Sequence, residues 1–549
     1  MINFRTTISK ANKKLPLKLA ASLLAASSLV ASLLGLLRDR IFNSTYYLTY
    51  PTGADAYRVA FSVPDFMFII LVSGALSVSF IPVFNQRLAK GNKKSAWELS
   101  TSVMNLMALA TLAASILIII FAEPLVRYVV GPGLDESSRS LATSMMRVIA
   151  VSPFLFAVAT VITSMQQAVG RFAFFALAPV VYNIGIIIGL VFFTNGINFF
   201  GVQVFEGGIM GVALGVVLGA VLQLIISALG LYGMGYDYRF KIYWKNKGFR
   251  QVLRLLPPRS LDQGIDYVNS IVETNLASRM VAGSVNAYQQ ASTLAYMPIN
   301  LIGVAISTAA FPKMTERLAE GRPDLFKSEL RTVLRVIIWL ALPVSVVAVL
   351  ARGYIVNFIV YRGDPYMASI LAILAISILF RSAYFISARS FYAHQDTKTP
   401  LYISLFAIGL NITLAVWFTL GLSMGVYGLA WAAVIVSIVE VSTLFFVMSR
   451  RIQGLFDKDF FSAVVRMASA AGFMAVITYA MLNIFPLSAE DPEFWSSFPK
   501  FGLVIATSGL SYLLFCQLFK LPEAKPVIDR IVKFLYKPPE VKDESTKHS

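Results

Sequence analysis

Five polar side chains interrupt the otherwise apolar stretch 255–280: Arg259, Asp262, Asp266, Asn269 and Glu273, at steps of 3, 4, 3 and 4 residues. On a helix that spacing confines them to one arc of roughly 80°. The stretch 285–311 repeats the steps with Asn286, Gln289, Thr293, Tyr296 and Asn300. A guanidinium in such a stripe pairs with phosphate, and carboxylate and amide oxygens are hard ligands suited to Na⁺ or proton coupling. A charged residue at the centre of a lipid-facing span costs roughly 2.5–3.5 kcal/mol, so both stripes are expected to face water or protein. Only a short connection separates the two stretches, which makes them an antiparallel pair lining one aqueous cavity.

The elements that carry these stripes follow from composition. The 549 residues are 57% hydrophobic and 14% charged, with a mean hydropathy of +0.70. No soluble fold hides that much apolar surface, whereas a helix of about 20 apolar residues crosses a bilayer with its own backbone hydrogen bonds satisfied. Apolar windows predict spans near 16–37, 59–84, 99–122, 141–166, 172–194, 209–234, 255–280, 285–311, 328–350, 366–392, 401–421, 425–448, 460–484 and 500–520. The fold expected is an all-α polytopic membrane protein of 14 transmembrane helices. Loops after even-numbered spans carry roughly twice the Lys and Arg of the others, which places them and both termini in the cytoplasm. The basic start and the Ala/Leu/Ser-rich first stretch read as a span, not a cleaved signal, because the apolar run is too long.

The second and eighth spans end alike. Pro82, Arg87, Leu88, Ala89 and Gly91 recur as Pro312, Arg317, Leu318, Ala319 and Gly321 at an offset of 230, as Ser77 does in Ser307. The offset also equals six spans, so the chain reads as two parallel six-helix repeats followed by two extra C-terminal helices, the arrangement used for rocking alternating access. By that repeat, Ser32, Arg38, Asp55, Arg58, Ser62 and Asp65 of spans one and two are the counterparts of the two stripes.

Other chemistries are excluded. One Cys (Cys516) and two His (His394, His548) cannot form a disulfide and leave no familiar zinc set, so no metal ligand is assigned and Cys516 reads as helix packing. Phosphate-cradling GxxxxGK[ST], GxSxG and HExxH motifs are absent, which points to no enzyme and to work drawn from a Na⁺ or H⁺ gradient, the membrane potential or downstream consumption, with no other cofactor. The excess of Lys plus Arg over Asp plus Glu, 47 to 29, sits in short loops and reports orientation, not nucleic acid. Arg147, Arg335 and Arg466 near span ends read as snorkelling, and Arg381, Arg389 and Glu440 as interhelix pairs.

These residues resemble the MurJ (MviN) family of lipid II flippases, within the multidrug/oligosaccharidyl-lipid/polysaccharide exporter superfamily. The resemblance is carried by the LLGLLRD run Leu33–Asp39, by Ala54, Asp55, Ala56 and Tyr57, by GVAIST at Gly303–Thr308 with Phe311 and Pro312, and by FYAHQDTKTP at Phe391–Pro400. It also includes Gln166, Gln167 and Ala168 with Gly170, Arg171 and Phe172. It implies a cytoplasmic segment 1–15, an N-lobe 16–236, a basic cytoplasmic linker 237–254, a C-lobe 255–450, a groove for a polyprenyl tail at 451–520 and a cytoplasmic tail 521–549. The implied substrate is the undecaprenyl-diphosphate-linked peptidoglycan precursor, flipped across the bacterial plasma membrane by a monomer among membrane lipids.

The family's diphosphate-holding arginines fall, by motif, on Arg38 and then on Ser32, Phe68, Ile69 and Thr293. Arg58 and Arg259 are therefore expected to replace the missing ones. The substrate-binding set is Arg38, Asp55, Arg58, Arg259, Gln289 and Thr293, and the cation-coupling set is Asp262, Asp266 and Asn411. The competing readings are a flippase for another polyprenyl-linked glycan, a drug/cation antiporter of the same superfamily, and an integral-membrane glycosyltransferase, whose acidic catalytic cluster the outer loops lack.

Overall fold

The computed structural model describes residues 12, 14, 16–199, 202–487 and 494–535; within these ranges the side chains of 73–78, 257–263, 265 and 266, among others, fall outside the description. Every predicted span is a helix. They are α1 (Leu17–Phe42), α2 (Pro51–Phe68, continued through Ile69–Ser73 into Gly74–Ala89), α3 (Lys93–Val130), α4 (Glu136–Ala168), α5 (Ala173–Val191), α6 (Met210–Leu229) and α7 (Lys247–Ser278). The series continues with α8 (Ser284–Ala319), α9 (Pro323–Leu350), α10 (Pro365–Ala393), α11 (Lys398–Gly421), α12 (Val426–Arg451), α13 (Lys458–Ile484), α14 (Phe494–Leu518) and a short amphipathic α15 (Lys525–Leu535). Among the described residues, 12 helices are long and apolar enough to cross a membrane. Helices α2 and α7, which carry the charged positions read from the sequence, are not among them.

Self-satisfied backbones suit lipid, and side-chain caps finish several helix starts. Asn92, Asp135, Asn246, Asp364 and Asp457 accept the first N–H groups of α3, α4, α7, α10 and α13. The chain is not purely helical. Ile197–Phe199 and Val202–Phe205 form an antiparallel hairpin between α5 and α6, where the Ile/Phe/Val alternation satisfies its backbone by pairing.

Two compact units divide the chain. The first comprises Met1–Gln290, Phe358–Tyr361 and Ile408–Ala432. Its core joins Val72, Phe80 and Phe84 of α2 to Leu99 and Val103 of α3, Val161 and Met165 of α4, and Phe249 and Val252 of α7. Helices α5 and α6 approach backbone to backbone through Gly185, Gly189, Gly215 and Gly219; a Cβ on Gly185 would lie 2.3 Å from the Gly219 Cα.

The second unit comprises Ala291–Asn357, Arg362–Ala407 and Ala433–Ser549. Its core joins Phe326, Leu334 and Trp339 of α9, Ile386 and Phe391 of α10, Leu444 and Met448 of α12, and Met467 and Met474 of α13. Cys516 is buried there and accepts the Trp339 indole N–H at 3.3 Å. Glu440 is buried, takes the Ser404 hydroxyl at 2.9 Å and lies 3.9 Å from Arg381, the interhelix pair expected. Arg335 does not simply reach for the membrane surface, because it is ion-paired with Glu523 just before α15.

Wide turns with one extra residue interrupt α2 at Ile69–Ser73 and α8 at Asn300–Val304. The two turns stand at nearly the same offset as the paired sequence motifs.

Candidate functional site

In the first unit, α1, α2, α5 and α8 converge on a cavity of about 210 Å³ lined by Arg38, Tyr57, Arg58, Phe61, Asp65, Tyr182 and Gln289. Each helix delivers its share by helical spacing: Tyr57, Arg58, Phe61 and Asp65 recur at steps of one, three and four along α2, so they crowd one face.

Asp39 organises the two guanidiniums. Its Oδ1 accepts from Arg38 Nε at 3.1 Å and Nη2 at 2.9 Å, and lies 4.0 Å from Arg58 Nη2. Arg38 also donates through Nη1 to Asn183 Oδ1 at 3.2 Å, and Asn183 in turn donates to the Ala31 carbonyl at 3.3 Å. Arg58 donates through Nε to Asn286 Oδ1 at 2.8 Å and packs over the rings of Phe42 and Tyr57 at 5.4 and 5.7 Å. Its Nη2 is buried and makes no hydrogen bond among the described residues. Asp65 is held by the Tyr267 hydroxyl of α7, whose ring stacks on Phe66 at 6.0 Å.

With Asp39 and Asp65 present, the formal charges of Arg38 and Arg58 are balanced. The carboxylates keep the guanidiniums ordered in a low-dielectric setting, while the remaining N–H groups stay available to a polar or anionic group. The volume falls below the roughly 300–1,000 Å³ of drug-sized sites, so it suits a phosphate-sized moiety and not a sugar-peptide head group.

The other predicted residues are placed as follows. Asp55 lies one turn before this face and caps α8: its Oδ2 accepts the Gly283 N–H at 2.7 Å and its Oδ1 the Asn286 N–H at 2.8 Å. Gln289 lines the cavity and donates to the Thr274 hydroxyl of α7 at 3.2 Å. Thr293 is exposed one turn further along α8, in the stretch that belongs to the second unit. The side chains of Arg259, Asp262 and Asp266 lie outside the described residues.

Asn411 meets the visible part of the α7 stripe. It donates to Asn269 Oδ1 at 2.9 Å and Glu273 Oε1 at 3.1 Å, and Asn269 donates to the same Glu273 oxygen at 2.9 Å. The Asn411 Oδ1 is buried without a hydrogen-bond partner among the described residues. Among the described residues there is no cluster of three or more His, Cys, Asp or Glu that could hold a metal ion.

Sequence reasoning missed Tyr182 and Asn183. The available signal was a Tyr-Asn pair at the centre of α5, polar in a helix that is otherwise apolar.

Solved structures share this fold. An inward closed lipid II flippase MurJ structure superposes with a TM-score of 0.72 at 24% identity, over 90% of this chain and 98% of that one. An inward-facing multidrug resistance MATE family transporter of the MOP superfamily gives 0.66 at 17% identity, over 79% and 98%. The fold is thus that of the multi-helix MOP transporters. A probable lipid II flippase MurJ of Thermotoga maritima is 25% identical over 506 residues, 90% of this chain and 95% of the relative, and one of Bdellovibrio bacteriovorus is 25% identical over 519 residues, 92% and 96%. The family model described as lipid II flippase MurJ matches residues 45–489, and the chain belongs to that family.

Proposed function

We propose that this protein flips the undecaprenyl-diphosphate-linked peptidoglycan precursor, lipid II, across the bacterial plasma membrane for cell-wall synthesis, as a transporter and not an enzyme. The observation that carries the reading is the pair Arg38 and Arg58 held on Asp39, with the Arg58 Nη2 left unbonded, inside a chain built of membrane-length helices. A diphosphate crossing hydrocarbon needs guanidinium donors that are already ordered and already desolvated. The pocket takes the diphosphate, the sugar-peptide head group occupies a wider hydrated path, and the polyprenyl tail stays in lipid beside 451–520. Helices α2 and α7 complete 14 spans with both termini cytoplasmic, and alternating access moves the N-lobe 16–236 against the C-lobe 255–450. Gln289 and Thr293 extend the polar lining along α8, and Arg259 adds a further cation. The protein works as a monomer.

Resetting the cycle draws on Na⁺, H⁺ or the membrane potential. The oxygen donors that fit a small hard cation or a proton are the unpartnered Asn411 Oδ1 and the Glu273 carboxylate, with Asp262 and Asp266 on the same stripe. Flux unaffected by collapsing the Na⁺, H⁺ and voltage gradients, separately and together, removes the coupling proposal.

The substrate reading is tested by depleting the protein and identifying which lipid-linked precursor builds up at the inner leaflet, then restoring it with Arg38→Ala and Arg58→Ala variants. Lipid II is expected to accumulate and neither variant to restore growth. Accumulation of another polyprenyl-linked glycan, or full rescue by both variants, overturns it.

A further inference from the structure

A second cavity lies at the basic end of the first unit, far in sequence from the pocket. It measures about 780 Å³ and lies between the start of α3 and the segment leading into α7. Lys94 comes from α3, Lys241 and Lys245 from the connecting segment and Lys247 from the first position of α7; Glu98 is the one acidic residue among the lining. None of these lysines forms an ion pair among the described residues. The capping amides do not compete for a ligand, because Asn246 Oδ1 already accepts from Gly248 and Phe249 N–H and Asn92 Oδ1 from Ser95 N–H. An anion entering here meets lysine ammonium groups at the starts of α3 and α7.

The segment is fixed at a defined depth along α3. Tyr243 N–H donates to Ser102 Oγ at 2.9 Å, Asn105 Nδ2 donates to the Arg239 and Lys241 carbonyls at 3.0 and 3.1 Å, and Tyr238 OH donates to Asn105 Oδ1 at 2.9 Å. Asn105 is 12 residues into a helix that starts at Lys93, which places it about 18 Å along the axis. The apolar run of α3 begins near that level. Pinned there, Phe240 is 78% exposed and Trp244 is 57% exposed, the latter resting edge-on against buried Phe249 at 5.5 Å. A water-borne anion has no use for two bare aromatic rings. A phospholipid head group does, because aromatic side chains settle at the head-group level while lysines take the phosphate.

We infer that the cavity between the start of α3 and residues 241–247 binds the phosphodiester head group of an anionic phospholipid, with Lys94, Lys241 and Lys245 on the phosphate and Phe240 and Trp244 in the interface. This site holds an annular lipid and does not depend on what passes through the Arg38–Arg58 pocket.

Hydrogen exchange of the full-length protein in nanodiscs tests it, comparing phosphatidylglycerol-containing with phosphatidylcholine-only discs. Amides of the 238–246 segment are expected to exchange about five-fold more slowly with phosphatidylglycerol, and Lys241→Ala with Lys245→Ala to abolish the difference, while Lys→Arg at both positions keeps it. Equal exchange of the parent protein in the two discs overturns the proposal without reference to any variant. Equal protection by inorganic phosphate in phosphatidylcholine discs assigns the site to a free anion and overturns it as well. The exchange readout is independent of flipping, so a wrong substrate assignment leaves it intact.

Discussion

The Nε of Arg58 on α2 donates to Oδ1 of Asn286 on α8 at 2.8 Å, joining two residues 228 positions apart. Asn286 passes the connection on, donating through Nδ2 to Asn43 Oδ1 at 2.9 Å, while Asn43 donates to the Ile359 carbonyl at 3.2 Å. One amide thereby fixes the rotamer of the guanidinium that lines the pocket.

Asn286→Ala leaves both Arg58 Nε and Asn43 Oδ1 buried and unpaired. A loss of about 1–3 kcal/mol is expected, read as a lowered melting temperature of the purified protein, together with reduced flipping because Arg58 is no longer held.

Asp55 predicts a different signature. Its carboxylate caps α8 through two backbone N–H groups, so Asp55→Ala is expected to destabilise by about 1–2 kcal/mol while Asp55→Asn retains most of the stability. Thermal denaturation in detergent separates the two. If Asp55→Asn melts normally yet fails to flip substrate, the residue acts on the substrate and not only as a cap.

The Asp396 loop carries a pH dependence. The Thr399 hydroxyl, the Thr399 N–H and Arg451 together hold the Asp396 carboxyl below its ordinary 3.8. The ionised form therefore stabilises the folded state throughout the range above that value, and the contribution fades as pH falls below it toward the folded-state value. Asp396→Asn is expected to flatten the acid limb of a melting-temperature profile. Arg451 is about half exposed, so added salt should weaken the effect.

Helix contact between α5 and α6 rests on missing side chains. Gly185→Ala or Gly215→Ala forces a Cβ into backbone and is expected to cost about 1–3 kcal/mol, whereas Gly472→Ala on α13, where a Cβ meets nothing within 4 Å, should be neutral or stabilising by up to about 1 kcal/mol. Melting of the three variants side by side checks this.

Much of this was legible beforehand. The apolar windows fall on helices throughout, twelve of them apolar enough among the described residues to cross a membrane, because lipid forces the backbone to satisfy itself, and Arg38 and Arg58 stand out because charge in such a helix needs a reason. The partners were harder. Asn183 and Tyr182 come from a helix with no stripe, and their role depends on how α5 packs against α1, which no spacing rule encodes. The α8 stripe divides for a similar reason: Asn286 is drawn into bonds with α1 and α2, while Tyr296 remains exposed. Asp55 is expected in the binding set because it matches the family's acidic position near the outer end of the second span, and an acid beside two free N–H groups is also what a helix start demands.

The extra-residue turns in α2 and α8 make these two helices unusually forgiving of changes in length. Removing one residue from Ile69–Ser73 or Asn300–Val304 turns the widened loop of backbone into an ordinary one and leaves the flanking stretches facing as before. The same deletion anywhere else in either helix swings everything beyond it through about 100°. Single-residue gaps between this chain and its relatives in these helices are therefore expected at those two turns, and placing them elsewhere would misassign every lining residue downstream.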